Sequence, residues 1–238
     1  MLVIGAQTNV GKTSVLMTWL MSIASRSIPC GIVSVEDPDE DFGAKALGQM
    51  TGINPKRMWS GDLSQAEWAK IMAVRGYDMP HPFSFGYVGS RRIDDVLAKI
   101  EFMARVRGAR VVAVDYLQSI MPRGSFSSRR EAIDSILAEL ISLCGRLGVA
   151  LILASQLARP DKGNPYREPN LIDLKESGEI ENRAQCVVML WRDSDEPGVD
   201  IHAKIAKAKR QPAGARFDLI RDPDSGMLIE KPYYGSGY

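Results

Sequence analysis

The stretch Leu2-Val-Ile-Gly-Ala-Gln-Thr-Asn-Val-Gly-Lys-Thr13 decides the reading of this chain: an apolar run gives way to small and polar residues and closes on Gly-Lys-Thr before a helical pattern. A strand, a glycine-bearing loop and a helix start in that order make a phosphate-binding P-loop. Backbone N–H groups from Ala6 through Asn9, Val10 and Gly11, and those of the helix start at Lys12, Thr13 and Ser14, are placed to face an anion. Lys12 supplies a point charge for the terminal phosphates of a nucleoside triphosphate, ATP in the simplest reading, and the Thr13 hydroxyl holds Mg²⁺. Counting back from Gly11 puts Ala6 where the pattern has its first glycine, with Gly5 one residue early, so the loop is a variant. The tripeptide alone is a weak signal; the strand-like Leu2, Val3 and Ile4 before it and the amphipathic Ser14 to Ala24 after it supply the context.

Bulk properties narrow the function classes. The 238 residues suit one α/β domain over the whole length, with 230–238 as a flexible tail. Lys plus Arg (30) nearly balance Asp plus Glu (29), so any nucleic-acid binding must come from a local patch rather than a global field. No apolar run reaches the ~18 residues of a membrane span, and the N-terminus lacks the basic segment and cleavage site of a signal peptide. Three separated cysteines, Cys30, Cys144 and Cys186, in apolar surroundings read as small buried hydrophobes in a reducing, cytoplasmic setting. With only His81 and His202, and no ligand-spaced pair, a protein zinc site is not expected.

Apolar runs at Leu2–Gly5, Gly31–Val35, Arg110–Asp115, Val149–Ala154 and Cys186–Trp191 predict buried parallel strands. Helical spacing separates most of them, clearest over Arg92 to Val106 and Arg130 to Leu147. Ser64-Gln-Ala-Glu67 and Ser128-Arg-Arg-Glu131 read as capping boxes at helix starts. Strands alternating with helices predict a doubly wound, mainly parallel sheet whose ligands bind beyond the carboxyl ends of its strands. After Trp191 the pattern turns to alternation at Ile201, Ala203 and Ile205, then Phe217–Ile220 and Met227–Ile229, which predicts an antiparallel C-terminal extension.

Three strand ends carry further chemistry. Asp115 closes Val111-Val-Ala-Val114, where a Walker B carboxylate reaches the Mg²⁺ water shell beside Thr13. Glu36 follows Ile32-Val-Ser-Val35 and is placed to orient or deprotonate an attacking water. Gln156 follows Val149 to Ser155, in reach of a γ-phosphate. Residues from separate strands converging on a P-loop are what phosphoryl transfer needs, because its catalysis is mainly positioning and charge stabilisation.

Val114-Asp-Tyr-Leu-Gln118, Ala154-Ser-Gln-Leu157 with Arg159, and Asp173-Leu-Lys-Glu-Ser-Gly-Glu-Ile-Glu181 strongly resemble motifs of the DnaB-type replicative helicases, ring-shaped ATP-driven motors with a RecA-like core. Ser34-Val-Glu-Asp-Pro38 and Gly61-Asp-Leu-Ser-Gln-Ala-Glu-Trp68 resemble the segments between the P-loop and Walker B in that family, and the similarity runs in order from Leu2 to about Ile229. The resemblance implies the roles given above for Lys12, Thr13, Glu36, Asp115 and Gln156. It implies that Lys175, Glu176 and Gly178 lie on a loop facing single-stranded DNA in a central channel, to which Arg123, Arg129 and Arg130 could add phosphate contacts. It implies a homo-oligomer, a hexamer in the family, contacts with other replication proteins, and no membrane partner. The long segment Arg159 to Pro169 hints at a functional loop.

The chain departs from the family twice. A Lys and an Arg two residues later reach the neighbouring subunit's ATP site in the family, whereas here Lys207 matches, Lys209 stands at the arginine-finger position and Arg210 is one place along. A single step along a strand turns a side chain to the opposite face, so Arg210 substitutes only if a bulge intervenes. The sequence also begins on the P-loop strand, without the helical domain and linker helix through which the family builds rings, which leaves assembly open. The alternative reading is a shortened relative that uses ATP to control DNA binding or assembly without unwinding by itself.

Overall fold

The computed structural model describes residues 1–76, 82–158, 166–174, 178–196 and 198–232. Its parallel strands are β1 (Leu2–Ala6), β2 (Cys30–Ser34), β3 (Phe83–Tyr87), β4 (Val111–Asp115), β5 (Ala150–Gln156) and β6 (Cys186–Trp191). The antiparallel extension is β7 (Ile201–Ala208), β8 (Arg216–Arg221) and β9 (Leu228–Glu230). Together they form one nine-stranded sheet in the order β3-β2-β4-β5-β1-β6-β7-β8-β9. The helices are α1 (Lys12–Ala24), α2 (Asp39–Thr51), α3 (Pro55–Ser60), α4 (Gln65–Gly76), α5 (Ile93–Arg105), α6 (Arg129–Leu147) and α7 (Gly178–Arg183). The doubly wound sheet and its antiparallel extension are those that the hydrophobic pattern predicts.

Both faces of the central strands are covered, which is why they read as continuous apolar runs rather than alternating ones. Val3, Val33, Val112, Val114 and Leu153 pack with Val96, Ile100, Ile136 and Leu140 of α5 and α6. On the other face Ile4, Ile32, Ala113 and Ala154 pack with Leu16 and Leu20 of α1, Phe42 of α2 and Leu219 of β8. Parallel register places Ala6, Ser34, Asp115 and Gln156 together at one edge, since Ala6 pairs with Gln156 and Ser34 with Asp115. The loops after these strands therefore open on the same side, where ligands of doubly wound sheets bind.

Some local readings shift. β5 runs two residues past its expected end, taking in Ser155 and Gln156, because β1 still supplies a ladder partner there. β3 has no counterpart among the expected strands: it is a short edge strand, Phe-Ser-Phe-Gly-Tyr, with an interior glycine and too little apolar length to stand out. The Ser64 box forms with both bonds, Glu67 N–H to Ser64 Oγ at 3.3 Å and Ser64 N–H to Glu67 Oε2 at 2.8 Å. At α6 the Ser128 hydroxyl caps the Glu131 N–H, but Glu131 reaches back to the N–H of Ser127 instead of the cap residue's own. Glu230 closes β9 and Lys231 pairs with Asp200 at 2.7 Å, while 233–238 of the expected tail lie outside the described residues. His81 also lies outside them, and His202 sits on β7 between Asp218 and Asp193. Among the described residues no helix is long and apolar enough to cross a membrane.

Gly5 is a packing glycine rather than a loop glycine. A Cβ there would stand 2.8 Å from Met189 Sδ and 3.0 Å from Leu157 Cδ2, so the missing side chain lets β6 and the segment after β5 close over β1. Gly5→Ala is expected to lower unfolding stability by about 1–3 kcal/mol through overpacking. Urea denaturation checks this, and an unchanged midpoint would show that Met189 moves aside at no cost.

Candidate functional site

The loop between β1 and α1 is shaped by two residues with positive φ, Asn9 at 64° and Gly11 at 122°. Asparagine tolerates the left-handed region, but Gly11 lies where L side chains rarely go, and a Cβ there would come within 3.0 Å of Ile201 Cδ1. Helix α1 starts at Lys12 with no side-chain cap, so its first N–H groups remain free for a ligand. Ala6 is fully buried at the end of β1, and Val10 leans on the core beneath the loop.

Around this loop lies a cavity of about 270 Å³ whose lining includes Asn9, Lys12, Glu36, Asp115 and Gln156. The Lys12 ammonium folds back to donate to the carbonyls of Ala6 (3.2 Å) and Gln7 (3.0 Å) and stands 5.7 Å from the Tyr116 ring centre. Burial lowers its pKa, against the opposing pull of Asp115 and Glu36. The Thr13 hydroxyl donates to Asp115 Oδ2 at 2.6 Å. Burial raises the Asp115 pKa, and the Thr13 hydrogen bond and the Lys12 charge work against that rise.

Glu36 stands just past β2, where Ser34 Oγ accepts the N–H groups of Glu36 (3.3 Å) and Asp37 (2.9 Å) and turns the chain toward the cavity. Its carboxylate is exposed and accepts from the Ser119 hydroxyl at 2.9 Å. The Gln156 amide donates to Thr8 Oγ1 at 2.9 Å, joining the end of β5 to the P-loop. The structure thus brings Lys12, Thr13, Glu36, Asp115 and Gln156 to one cavity.

Four further residues enter the site without a role in the sequence reading. Gln118 lies in a single turn after β4, where β4 no longer pairs with β5 beyond Val114 and Leu153. Its amide takes over as ladder partner, accepting from Gln156 N–H at 2.8 Å and donating to Ser155 Oγ at 2.9 Å and Gln156 O at 3.2 Å. Tyr116 walls the cavity beside Lys12, and Lys45 of α2 reaches it while pairing with Asp37 at 3.1 Å. Arg221, at the end of β8, donates to Ser14 Oγ at 3.2 Å from 207 residues away in sequence. Gln118 was visible in its motif; Arg221 had no local signal at all.

Other expected site residues lie elsewhere. Arg123 is committed to Asp94 (2.6 Å) and Glu139 (2.7 Å), bracing α5 against α6, so its charge is already matched. Gly178 opens α7 and is exposed, with Arg130 beside it, while Lys175, Glu176 and Arg159 lie outside the described residues. Lys207 donates to the Glu181 carbonyl of α7, and the Lys209 N–H donates to the Gln185 carbonyl at 2.9 Å. Lys209 and Arg210 are exposed. Ala208 pairs with Cys186, at the amino end of β6, whereas Leu190 pairs with Ala6 at the P-loop edge. The three finger candidates are therefore at the far edge of the sheet, roughly 13 Å or more along the strands from this chain's own P-loop. The bulge in β7 falls at Ala206, ahead of Lys207, and β7 ends at Ala208, so Lys209 and Arg210 lie past the strand, where alternation no longer sets the side they face.

A P-loop at the carboxyl edge of a mainly parallel sheet, faced by a buried carboxylate from a neighbouring strand end, defines a P-loop nucleotide-binding protein with the RecA-like ATPase fold. The family model for the DnaB-like helicase C terminal domain matches residues 1–218, and the chain belongs to that family. It is 27% identical over 245 residues to the replicative DNA helicase DnaC of Bacillus subtilis (strain 168), covering 100% of this chain and 54% of that protein. The chain thus spans about half the length of that relative. Two solved structures share the fold at 23% identity and a TM-score of 0.84: an ATPase domain, over 97% of this chain and 84% of that one, and a DnaB-like replicative helicase described with its primase interactions, over 96% of this chain and 57% of that one.

The Gln118 amide is the structural tie that holds Gln156 at the cavity. Gln118→Leu leaves the Gln156 N–H without its acceptor and is expected to cost about 1–3 kcal/mol of stability. Chemical denaturation measures it, and a variant as stable as the parent would show that water replaces the amide fully.

Proposed function

We propose that the chain is the motor core of a replicative helicase, hydrolysing ATP with Mg²⁺ and coupling each hydrolysis to movement along single-stranded DNA in a homo-oligomeric ring. The observation that carries this reading is the meeting of Lys12, Glu36, Asp115 and Gln156, from four different strand ends, around one uncapped helix start. Thr13 and Asp115, 2.6 Å apart, are a hydroxyl and a carboxylate, oxygen donors of the kind Mg²⁺ prefers, and these two residues would hold the ion. When bound, the ion neutralises charge developing on the β–γ phosphate oxygens.

The side chains divide the remaining work. Lys12 exchanges the carbonyls of Ala6 and Gln7 for phosphate oxygens, a trade of neutral acceptors for charged ones that favours the nucleotide. Glu36, steadied by Ser119, holds a water in line with the γ-phosphorus and takes its proton on a carboxylate oxygen as the bond to the bridging oxygen breaks and ADP leaves. Gln156 exchanges Thr8 for a γ-phosphate oxygen, so its side chain reports whether that phosphate is present.

Lys207 and Lys209 serve a neighbouring subunit's site. Their position at the sheet edge remote from their own P-loop supports this. Lysine supplies charge there without the planar fork of arginine. The segment leading into α7 at Gly178, which includes Lys175 and Glu176, is assigned to the DNA, with Arg130 at its flank. Contacts with other replication proteins, such as the primase seen with one structural neighbour, belong to the same reading.

The expected outcome is phosphate release from ATP that single-stranded DNA stimulates. Lys12→Ala should abolish nucleotide binding, and Glu36→Gln should lower kcat by roughly 10²–10⁴ with ATP still bound. No hydrolysis at any DNA or salt concentration would overturn the proposal. Action in trans predicts complementation: Lys12→Ala and Lys209→Ala chains, each inactive, should recover measurable turnover when mixed, because one contributes an intact finger and the other an intact cradle. Absence of recovery between folded chains would remove Lys209 from that role.

A further inference from the structure

Arg221 is the one cation of the cavity that reaches it from the antiparallel extension, and its surroundings are unusual for an arginine. Among the described residues its guanidinium donates only to neutral acceptors, Ser14 Oγ at 3.2 Å and the Gly226 carbonyl at 3.2 Å. The arginine at the start of the same strand, Arg216, is by contrast matched by Glu168 at 3.0 Å. Next to Arg221 stands a second arginine, Arg192, whose Nε is buried and has no hydrogen-bond partner among the described residues. Burial, and after it the charge of Arg192, lower the Arg221 pKa, the reverse of what a carboxylate neighbour would do.

Both arginines line a second cavity of about 550 Å³, which adjoins the first: Ser14, Lys45 and Arg221 belong to the walls of each. Its other walls are mainly apolar, with Met17, Pro55 and Pro223 among them. Two like charges with no ion-pair partner among the described residues, beside an anion cradle, are an arrangement that an anion relieves.

The direction of the cradle says which anion. On the proposed reading the terminal phosphate lies by Glu36 and Gln156, which line the first cavity and not the second, whereas Ser14 lines both and marks the side that faces the second. We infer that Arg221 is a binding arm for the innermost phosphate of the nucleotide, supplied in cis by β8, with the sugar and base passing into the cavity beyond it. This rests on the proposed reading of the cradle as an ATP site. It differs from the finger lysines in two respects: Arg221 acts on its own subunit's nucleotide, and it acts on a phosphate that ATP and ADP share.

Calorimetric titration of the full chain with Mg-ATP and with ADP tests it. Arg221→Ala should weaken both nucleotides by the same factor, about ten- to a hundredfold, the range of a charge-assisted hydrogen bond. Arg221→Lys, which keeps the charge and loses the fork, should fall between. In turnover the loss should appear in KM far more than in kcat, and it should not change with protein concentration. If Arg221→Ala loosens the β8–β9 turn and melts early, Arg221→Lys carries the test alone. The inference is overturned if ADP and ATP bind the variants as tightly as the parent, if the loss is confined to ATP and to kcat, or if single-stranded DNA affinity falls while nucleotide affinity holds. A parent chain that binds neither nucleotide would instead overturn the reading of the cradle, and Arg221 with it.

Discussion

The hydrogen bond from Thr13 to Asp115, 2.6 Å long, joins the start of α1 to the end of β4. These elements are not neighbours in the sheet: β5 lies between β1 and β4. For the bond to form, the three strands must run parallel and open on the same edge, with β4 stopping two residues short of the β1 and β5 ends. Lys12, one residue before Thr13, is then held close to the Asp115 carboxylate, and each offsets part of the other's desolvation. Loss of that register would separate the lysine, the hydroxyl and the carboxylate and leave each a poorly compensated buried group.

The same edge is stiffened by polar ties that extend the ladder past the strand ends. Gln118 does for β5 what β4 no longer does, and Gln156 in turn reaches Thr8 of the loop. Glu36 is held from the other side by Ser34 and Ser119. Catalysis by positioning requires such supports, because the groups that meet a phosphate must be oriented before it arrives. They are also exchangeable. Lys12 and Gln156 each bond a neutral oxygen that a charged phosphate oxygen can replace.

The antiparallel extension carries cations to both ends of the sheet. β7 runs away from the P-loop and delivers Lys207 and Lys209 to the far edge; β8 runs back and delivers Arg221 to the cradle. Under the proposed roles, strand direction alone separates a cation for a neighbour's nucleotide from a cation for the chain's own. The Lys207 bond to the Glu181 carbonyl further places that lysine against α7, the helix that follows the segment assigned to DNA.

What the sequence by itself determined is local chemistry: a strand that breaks into Gly11-Lys12-Thr13, apolar runs that end in Asp115 and Gln156, amphipathic α5 and α6, and the change to alternation at Ile201. Each depends on side chains within a few positions of one another, so spacing suffices to read it. What only the tertiary structure decided is which distant groups meet. Arg123 between Asp94 and Glu139 follows from the packing of α5 beside α6, while Gln118 against Gln156, Arg221 against Ser14 and the edge on which Lys207 emerges follow from strand order and register. A one-residue slip would reassign the last three, and local pattern does not encode that long-range pairing.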